Sequence, residues 1–192
     1  MTQQPDFVER VVNYLHHEGA KGFDELEALM AQTGGDWAAC LTSVSEAQAA
    51  FQPGPSDHVQ TPISGEGPRW CVKEVVGHYL LAERSLNETV AGLAGVAAPR
   101  DPGPVVRQMG VQSAEYEALP LAALGEELSA FYNETATLIG ALRNSANLGA
   151  TFPHPALGPL NLKEWLVFHR GHAMDHIQQI ERIKTGAAYP KA

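Results

Sequence analysis

The sequence predicts an all-α fold, a four-helix bundle carrying an N-terminal helical extension. Three observations predict it. Glycine and proline cluster at Gly34-Gly35 and at positions 52–68, 98–104 and 147–160, and they divide the chain into segments. Within those segments apolar residues recur at i, i+3, i+4 and i+7, the period of a helix with one buried face. The period-2 alternation of β-branched residues that marks strands is almost missing, so little or no sheet is expected. The 192 residues are 44% apolar and 18% charged, which suits one domain with a sizeable core.

Residues 1–33 read as the extension. Phe7, Val8, Val11, Val12 and Leu15 make one apolar stripe, and Phe23, Leu26, Leu29 and Met30 a second; both segments are expected on the outside of the bundle. The bundle itself spans 34–185, and 186–192 is a tail. Its first helix begins at an Asp36 N-cap and continues through Trp37, Cys40, Leu41, Val44, Ala47, Gln48 and Phe51. The second runs from about Arg69 to Leu93 behind Pro68, a residue favoured in the first turn. Its stripe is Val72, Val75, Val76, Tyr79, Leu86, Val90 and Leu93. A short helix is expected within Val105–Ala118. The third long helix covers about Leu121–Asn144, through Leu124, Leu128, Phe131, Thr135, Leu138 and Leu142. The last covers about Asn161–Lys184 and stops before Gly186. The connection at 52–68 is longer than bundle loops usually are, and long ordered loops at bundle ends commonly form binding mouths.

Charge narrows the function. Lys and Arg total 13 against 22 Asp and Glu, a formal net charge of -9. This lacks the basic footprint of a nucleic-acid binder. There is no polybasic or basic amphipathic stretch for a membrane surface, and no apolar run of about 18 residues to cross one. The N-terminus MTQQPDFVER is polar and acidic where a signal peptide would be basic and then apolar. Two cysteines, Cys40 and Cys71, cannot build a zinc knuckle or a disulfide scaffold. A cytoplasmic protein with no membrane or nucleic-acid partner is expected.

The eight histidines are unevenly placed. On the segment NLKEWLVFHRGHAMDHIQQIERIK, with about 100° per residue and Trp165 at zero, His172 and His176 fall within roughly 20° and His169 within roughly 40°. All three lie in the stripe that faces the core. Buried imidazoles are costly unless each ring nitrogen finds a partner, and a single divalent ion satisfies one nitrogen on each ring. The i, i+4 spacing of His172 and His176 suits chelation. His78, on the flank of the second bundle helix, is the best third ligand. Three histidines leave a coordination position open, which is the catalytic arrangement rather than the closed structural one. His169 could line the pocket, supply a fourth ligand or sit at an interface; pocket lining is favoured. Glu74, one turn before His78, reads as a supporting or helix-anchoring group rather than a ligand. Cys71 reads as core packing, because nothing near it lowers a thiol pKa. Trp70 and Trp165 read as packing anchors. His16, His17, His58 and His154 read as solvent-facing, although His58 and His154 lie in loops that frame the mouth.

Three stretches carry a resemblance: Trp70-x3-Glu74-x3-His78, the run Pro-x-x-Gly-Pro-Leu-x-Leu-x-Glu-Trp at 155–165, and His172-x3-His176 followed by Ile177-Gln178-Gln179-Ile180. Over roughly residues 34–185 the chain resembles the DinB/YfiT-like metalloproteins. The resemblance implies a four-helix bundle with three histidines around a divalent metal, usually zinc or nickel. It maps the ligands onto His78, His172 and His176. It also implies a direction of function, since some members are transferases or isomerases that use low-molecular-weight thiols and others look like metal-dependent hydrolases. The leading expectation is therefore a thiol S-transferase of detoxification or stress response, acting on a small molecule. His169 or Glu74 would handle the proton. A metal-dependent hydrolase and a non-catalytic metal-binding stress protein are the alternatives, and a homodimer, compatible with any of these, is expected. Three imidazoles suit zinc, nickel, copper or iron.

Overall fold

The computed structural model describes residues 4–54, 57, 59–98 and 111–191. Among the described residues it contains helices α1 (Gln4–Gly19), α2 (Phe23–Leu41), α3 (Glu46–Ala49), α4 (Val72–Leu93), α5 (Ala114–Glu117), α6 (Leu121–Leu142) and α7 (Leu162–Lys184). A two-stranded hairpin, β1 (Thr151–His154) and β2 (Gly158–Asn161), precedes α7. Helices α2, α4, α6 and α7 form the bundle. Both α2 and α4 pack against both α6 and α7, so α2 lies diagonal to α4, and α1 lies against the outside of α7. The centre is aromatic and aliphatic: Trp37, Tyr79, Phe131, Leu80, Leu124, Ile139 and Trp165 are all fully buried. Trp37 meets Tyr79 at 4.9 Å between ring centroids, and Tyr79 meets Phe131 edge-on at 6.0 Å. Among the described residues no helix is long and apolar enough to cross a membrane.

The first bundle helix differs from expectation. No break occurs at Gly34-Gly35, and Asp36 is not an N-cap, because α2 runs unbroken from Phe23 to Leu41. Leu26, Met30, Thr33, Trp37, Cys40 and Leu41 form one continuous buried stripe across the glycines. Each interior glycine costs about 1 kcal/mol relative to alanine, whereas truncating a buried Trp costs about 3–5 kcal/mol. The stripe wins. Gly34 also allows close approach to α6, since a Cβ there would sit 3.2 Å from the Tyr132 ring. Nor does this helix reach Phe51. Ser45 and Gln48 form a capping box that starts the separate short helix α3.

The other boundaries shift little. Helix α4 starts at Val72 rather than Arg69, with Cys71 as N-cap and its N–H donated to Glu74 Oε2 at 2.6 Å. Of the short helix expected within 105–118, the described part is α5; residues 99–110 lie outside the described residues. The segment 147–160, read as a loop, contains the hairpin, whose prolines and Gly158 hide any alternation. The hairpin seats α7. Trp165 Nε1 donates to Phe152 O at 3.1 Å and the two rings stack at 4.3 Å. Asn161 caps α7, accepting from Lys163 N and Glu164 N at 3.0 Å each, while Glu164 Oε2 accepts from Asn161 N.

Candidate metal centre

Helices α4 and α7 pack side by side, and their facing stripes carry the histidines. His78 and His176 are buried at 1% and 0% exposure, and the His172 side chain keeps 11%. Each ring has one nitrogen tied to an oxygen that can only accept. His78 Nδ1 donates to Val111 O at 2.7 Å. His176 Nδ1 donates to Gln179 Oε1 at 2.9 Å; the amide orientation is fixed because Gln179 Nε2 donates to Gly67 O at 2.8 Å. His172 Nδ1 donates to Glu83 Oε1. All three Nδ1 atoms are thereby protonated, and all three Nε2 atoms turn toward one point.

A carboxylate meets them there. Glu66 Oε2 lies 3.3 Å from His78 Nε2, 3.7 Å from His176 Nε2 and 3.8 Å from His172 Nε2. His172 Nε2 and His176 Nε2 are 2.9 Å apart. The four ligating atoms lie within 4.8 Å of one another. In a tetrahedral zinc site with bonds of about 2.1 Å, ligand atoms are about 3.4 Å apart, inside the observed spread. Glu66 Oε2 and His78 Nε2 are both buried with no hydrogen-bond partner. Two buried lone pairs facing each other are unfavourable unless a proton or cation sits between them. The donor set, three imidazoles and one carboxylate, fits a divalent cation, and this cluster can hold one.

Without an ion, a proton does part of that work. Burial opposes protonation of His172, but Glu83 and Glu66 outweigh it and push its pKa up to about 10. Burial, then the charges of His172 and His78, push His176 well below its ordinary range. Burial raises the Glu66 carboxyl, yet His172 and His78 hold it far below the usual carboxylate range.

The loop that carries Glu66 is fastened to α7. Asp175, adjacent to His176, accepts from Ile63 N at 2.9 Å, Ser64 N at 3.1 Å and Ser64 Oγ at 3.2 Å. Thr61 Oγ1 accepts from Glu66 N at 2.7 Å. Gly67 has φ of +58°, and a Cβ there would fall 2.2 Å from the Trp70 ring. Trp70 in turn packs on His78 at 4.7 Å and stacks on His176 at 6.2 Å. Phe168 stacks on His172 at 5.6 Å.

Behind His172 lies a second layer of polar contacts. Glu83, 1% exposed, reaches His172 Nδ1 with one oxygen and His169 Nδ1 with the other. His169 Nε2 faces Asn87 Oδ1 at 2.9 Å, and Asn87 Nδ2 donates to Thr135 Oγ1 at 2.7 Å.

The structure thus brings His78, His172 and His176 together. It does not bring His169 or Glu74 to the same point. His169 is fully buried, with both nitrogens engaged by Glu83 and Asn87. Glu74 caps α4 and accepts from Gln52 Nε2 at 2.8 Å, lining a separate cavity of about 450 Å³ with Arg69, Trp70 and Gln112. Cys71 is buried, and burial pushes its thiol up to about 11. His16 pairs with Glu164 at 2.6 Å, and His17 is exposed. His58 lies outside the described residues. His154 is half-buried against Trp165 and Phe168 rather than in solvent. Glu66 and Glu83 escaped the sequence reading. Glu66 sits in a Gly-Glu-Gly-Pro loop with no periodicity to reveal its direction. Glu83 carried a usable signal, a charged residue on the buried face of α4.

A family model described as DinB superfamily matches residues 16–180. Neither the curated proteins nor the solved structures give a match.

Proposed function

The chain belongs to the DinB superfamily, and on that premise we propose a metal-dependent enzyme that joins a low-molecular-weight thiol to a small electrophile. One divalent ion, zinc or nickel, would be held by His78, His172 and His176. The single observation that carries the reading is the convergence of three Nε2 lone pairs, each Nδ1 being tied elsewhere, on an unpartnered Glu66 oxygen. Bound there, the ion supplies positive charge that lowers the pKa of a thiol or water presented to it.

The protein's own residues do the rest. Glu66 and His172 are the members of the cluster with solvent access, at 12% and 11%, so a small molecule approaches from their side. Glu66 would present a charged carboxylate oxygen that accepts a hydrogen bond from the incoming S–H and orients it, the proton leaving to solvent as the ion stabilises the thiolate. Trp70 and Phe168 wall the site with ring faces and keep water out. His169 acts through Glu83 rather than at the reacting atoms, and Glu74 anchors the start of α4.

Elemental analysis of untagged protein is expected to find about one metal per chain, lost in His172→Ala. Unchanged metal content in the variant removes the site. With a panel of thiols and electrophiles, turnover should require both the metal and the thiol; turnover without thiol means hydrolysis instead. One observation favours a second reading, an ion that only staples the bundle: Glu66 provides a fourth protein ligand and so a closed sphere. Thiol added to Co(II)-loaded protein separates the two. A shifted visible spectrum supports the enzyme, and an unmoved one the staple.

A further inference from the structure

The chain of contacts behind His172 has a direction that can be worked out atom by atom. Thr135 Oγ1 donates to Phe131 O one turn back, at 2.9 Å. It therefore has only lone pairs left for Asn87, and Asn87 Nδ2 donates to it at 2.7 Å. That fixes the amide, so Asn87 Oδ1 is the atom facing His169 Nε2 at 2.9 Å, and Nε2 must donate. The other nitrogen of His169 meets Glu83 Oε2, and Glu83 Oε1 meets His172 Nδ1. Every member except His172 and Asn87 is fully buried, so water cannot substitute for a lost partner. The chain starts at a backbone carbonyl of α6, crosses α4 and ends on α7.

We propose that Glu83, His169 and Asn87 are positioning residues that fix the tautomer and ring direction of His172 so that its Nε2 lone pair faces the metal centre. The proposal rests on the reading of His172 as a ligand. A carboxylate is required at position 83 because only an acceptor with two oxygens can take an N–H from two imidazoles at once. A glutamine has one oxygen and one NH2. It can satisfy one ring, but it must present an N–H donor to the Nδ1 of the other. His169 can be that ring, since a bare Nδ1 leaves the Nε2–H that Asn87 Oδ1 requires, and His172 then keeps its tautomer. An apolar side chain at 83 offers neither ring an acceptor and lets the His172 proton move to Nε2, the atom that must stay bare to bind an ion. His169 is then a spacer that spans from Asn87 to Glu83 with two N–H groups, a job glutamine or phenylalanine cannot do.

The test uses full-length protein and Co(II) and Zn(II) as probes. Affinity is read by competition with a chromophoric chelator, ring tautomers by nitrogen NMR of the histidines, and folding by thermal unfolding. Glu83→Leu, which removes both acceptor oxygens, is expected to weaken Zn(II) binding about 10- to 100-fold, the usual effect of losing a partner of a metal-bound histidine, and Glu83→Gln to weaken it less. In Glu83→Leu the His172 Nδ1–H signal should be lost or exchange-broadened, with Nε2 protonated in its place. Glu83→Asp, which keeps two acceptor oxygens, should recover part of the affinity. Wild-type affinity and an unchanged His172 tautomer in folded Glu83→Leu overturn the proposal. If Glu83→Leu fails to fold, Asn87→Ala decides. It lies at the half-buried end of the chain, and it should weaken Zn(II) binding and disturb the His169 resonances without abolishing the fold. Unaltered affinity there also overturns it. Failure of the wild-type protein to bind either ion defeats the underlying functional reading instead, so the two failures are distinct.

Discussion

His154 shows how much one side chain's surroundings decide. It ends β1, its Nδ1 accepts from Ala156 N at 3.1 Å and Leu157 N at 3.2 Å, and its ring packs on Trp165 and Phe168. Burial, then the charge of His172, lowers its pKa to about 4. A histidine whose folded pKa lies below its unfolded value of about 6.5 binds its proton in the unfolded state first. Stability is therefore unaffected above about pH 6.5 and falls as the pH drops toward 4. His154→Asn keeps an acceptor for the turn and removes the titration. In denaturant melts across this window the variant's stability should fall less steeply with decreasing pH, by up to about one proton. At this scale the sequence revealed much. His172 and His176 were legible because helical spacing fixes the direction of a side chain once the buried face is known. Their partners on α4 and α7 could be found by the same logic. Glu66 could not, because no rule of spacing states where a loop carboxylate points.

Between residues and the whole lies the segment 61–67, which presents Glu66 and is tied to α7 on both sides of His176. Asp175 takes its N–H groups and Gln179 gives its amide to Gly67 O and Glu66 O. Its shape depends on Gly67, whose left-handed φ and contact with Trp70 leave no room for a side chain. Gly67→Ala should destabilise the fold by at least the about 1–2 kcal/mol of left-handed backbone, with the Trp70 clash in addition, and should weaken metal binding. Gly65→Ala is the control: its φ is +75° but open space surrounds it, so it carries the backbone cost alone. Equal loss in both variants, by thermal melts and chelator competition, contradicts the account. Elements were legible in proportion to their periodicity. Helices α6 and α7 fell within about two residues of expectation, whereas α2 was cut at Gly34-Gly35 because glycine is a local signal and Trp37 a tertiary one. The hairpin escaped because Pro153, Pro155 and Pro159 masked it.

For the whole molecule, the site and the bundle share one free energy. Its donors lie on α4, α7 and the loop before α4, so an ion that binds only the folded chain stabilises it by mass action. At a free metal concentration of about a hundred times Kd that is about 2.7 kcal/mol, or a rise of about 5–10 °C in Tm for a chain of this size. Removing metal with a chelator should reverse the rise in scanning calorimetry, and His172→Ala should show no such response. An identical Tm with and without metal refutes the linkage. The fold class was legible because four long amphipathic stripes admit few other arrangements. The diagonal placement of α2 and α4 was not, since that depends on which stripes interdigitate.

The two halves of the candidate metal centre are separated by more than ninety positions along the polypeptide, Glu66 and His78 on one side, His172 and His176 on the other. A ribosome making this chain has synthesised the first pair long before the second exists. Capture of an ion by the full set of donors would therefore wait until the last helix has cleared the exit tunnel, and until then the first pair stands without its partners.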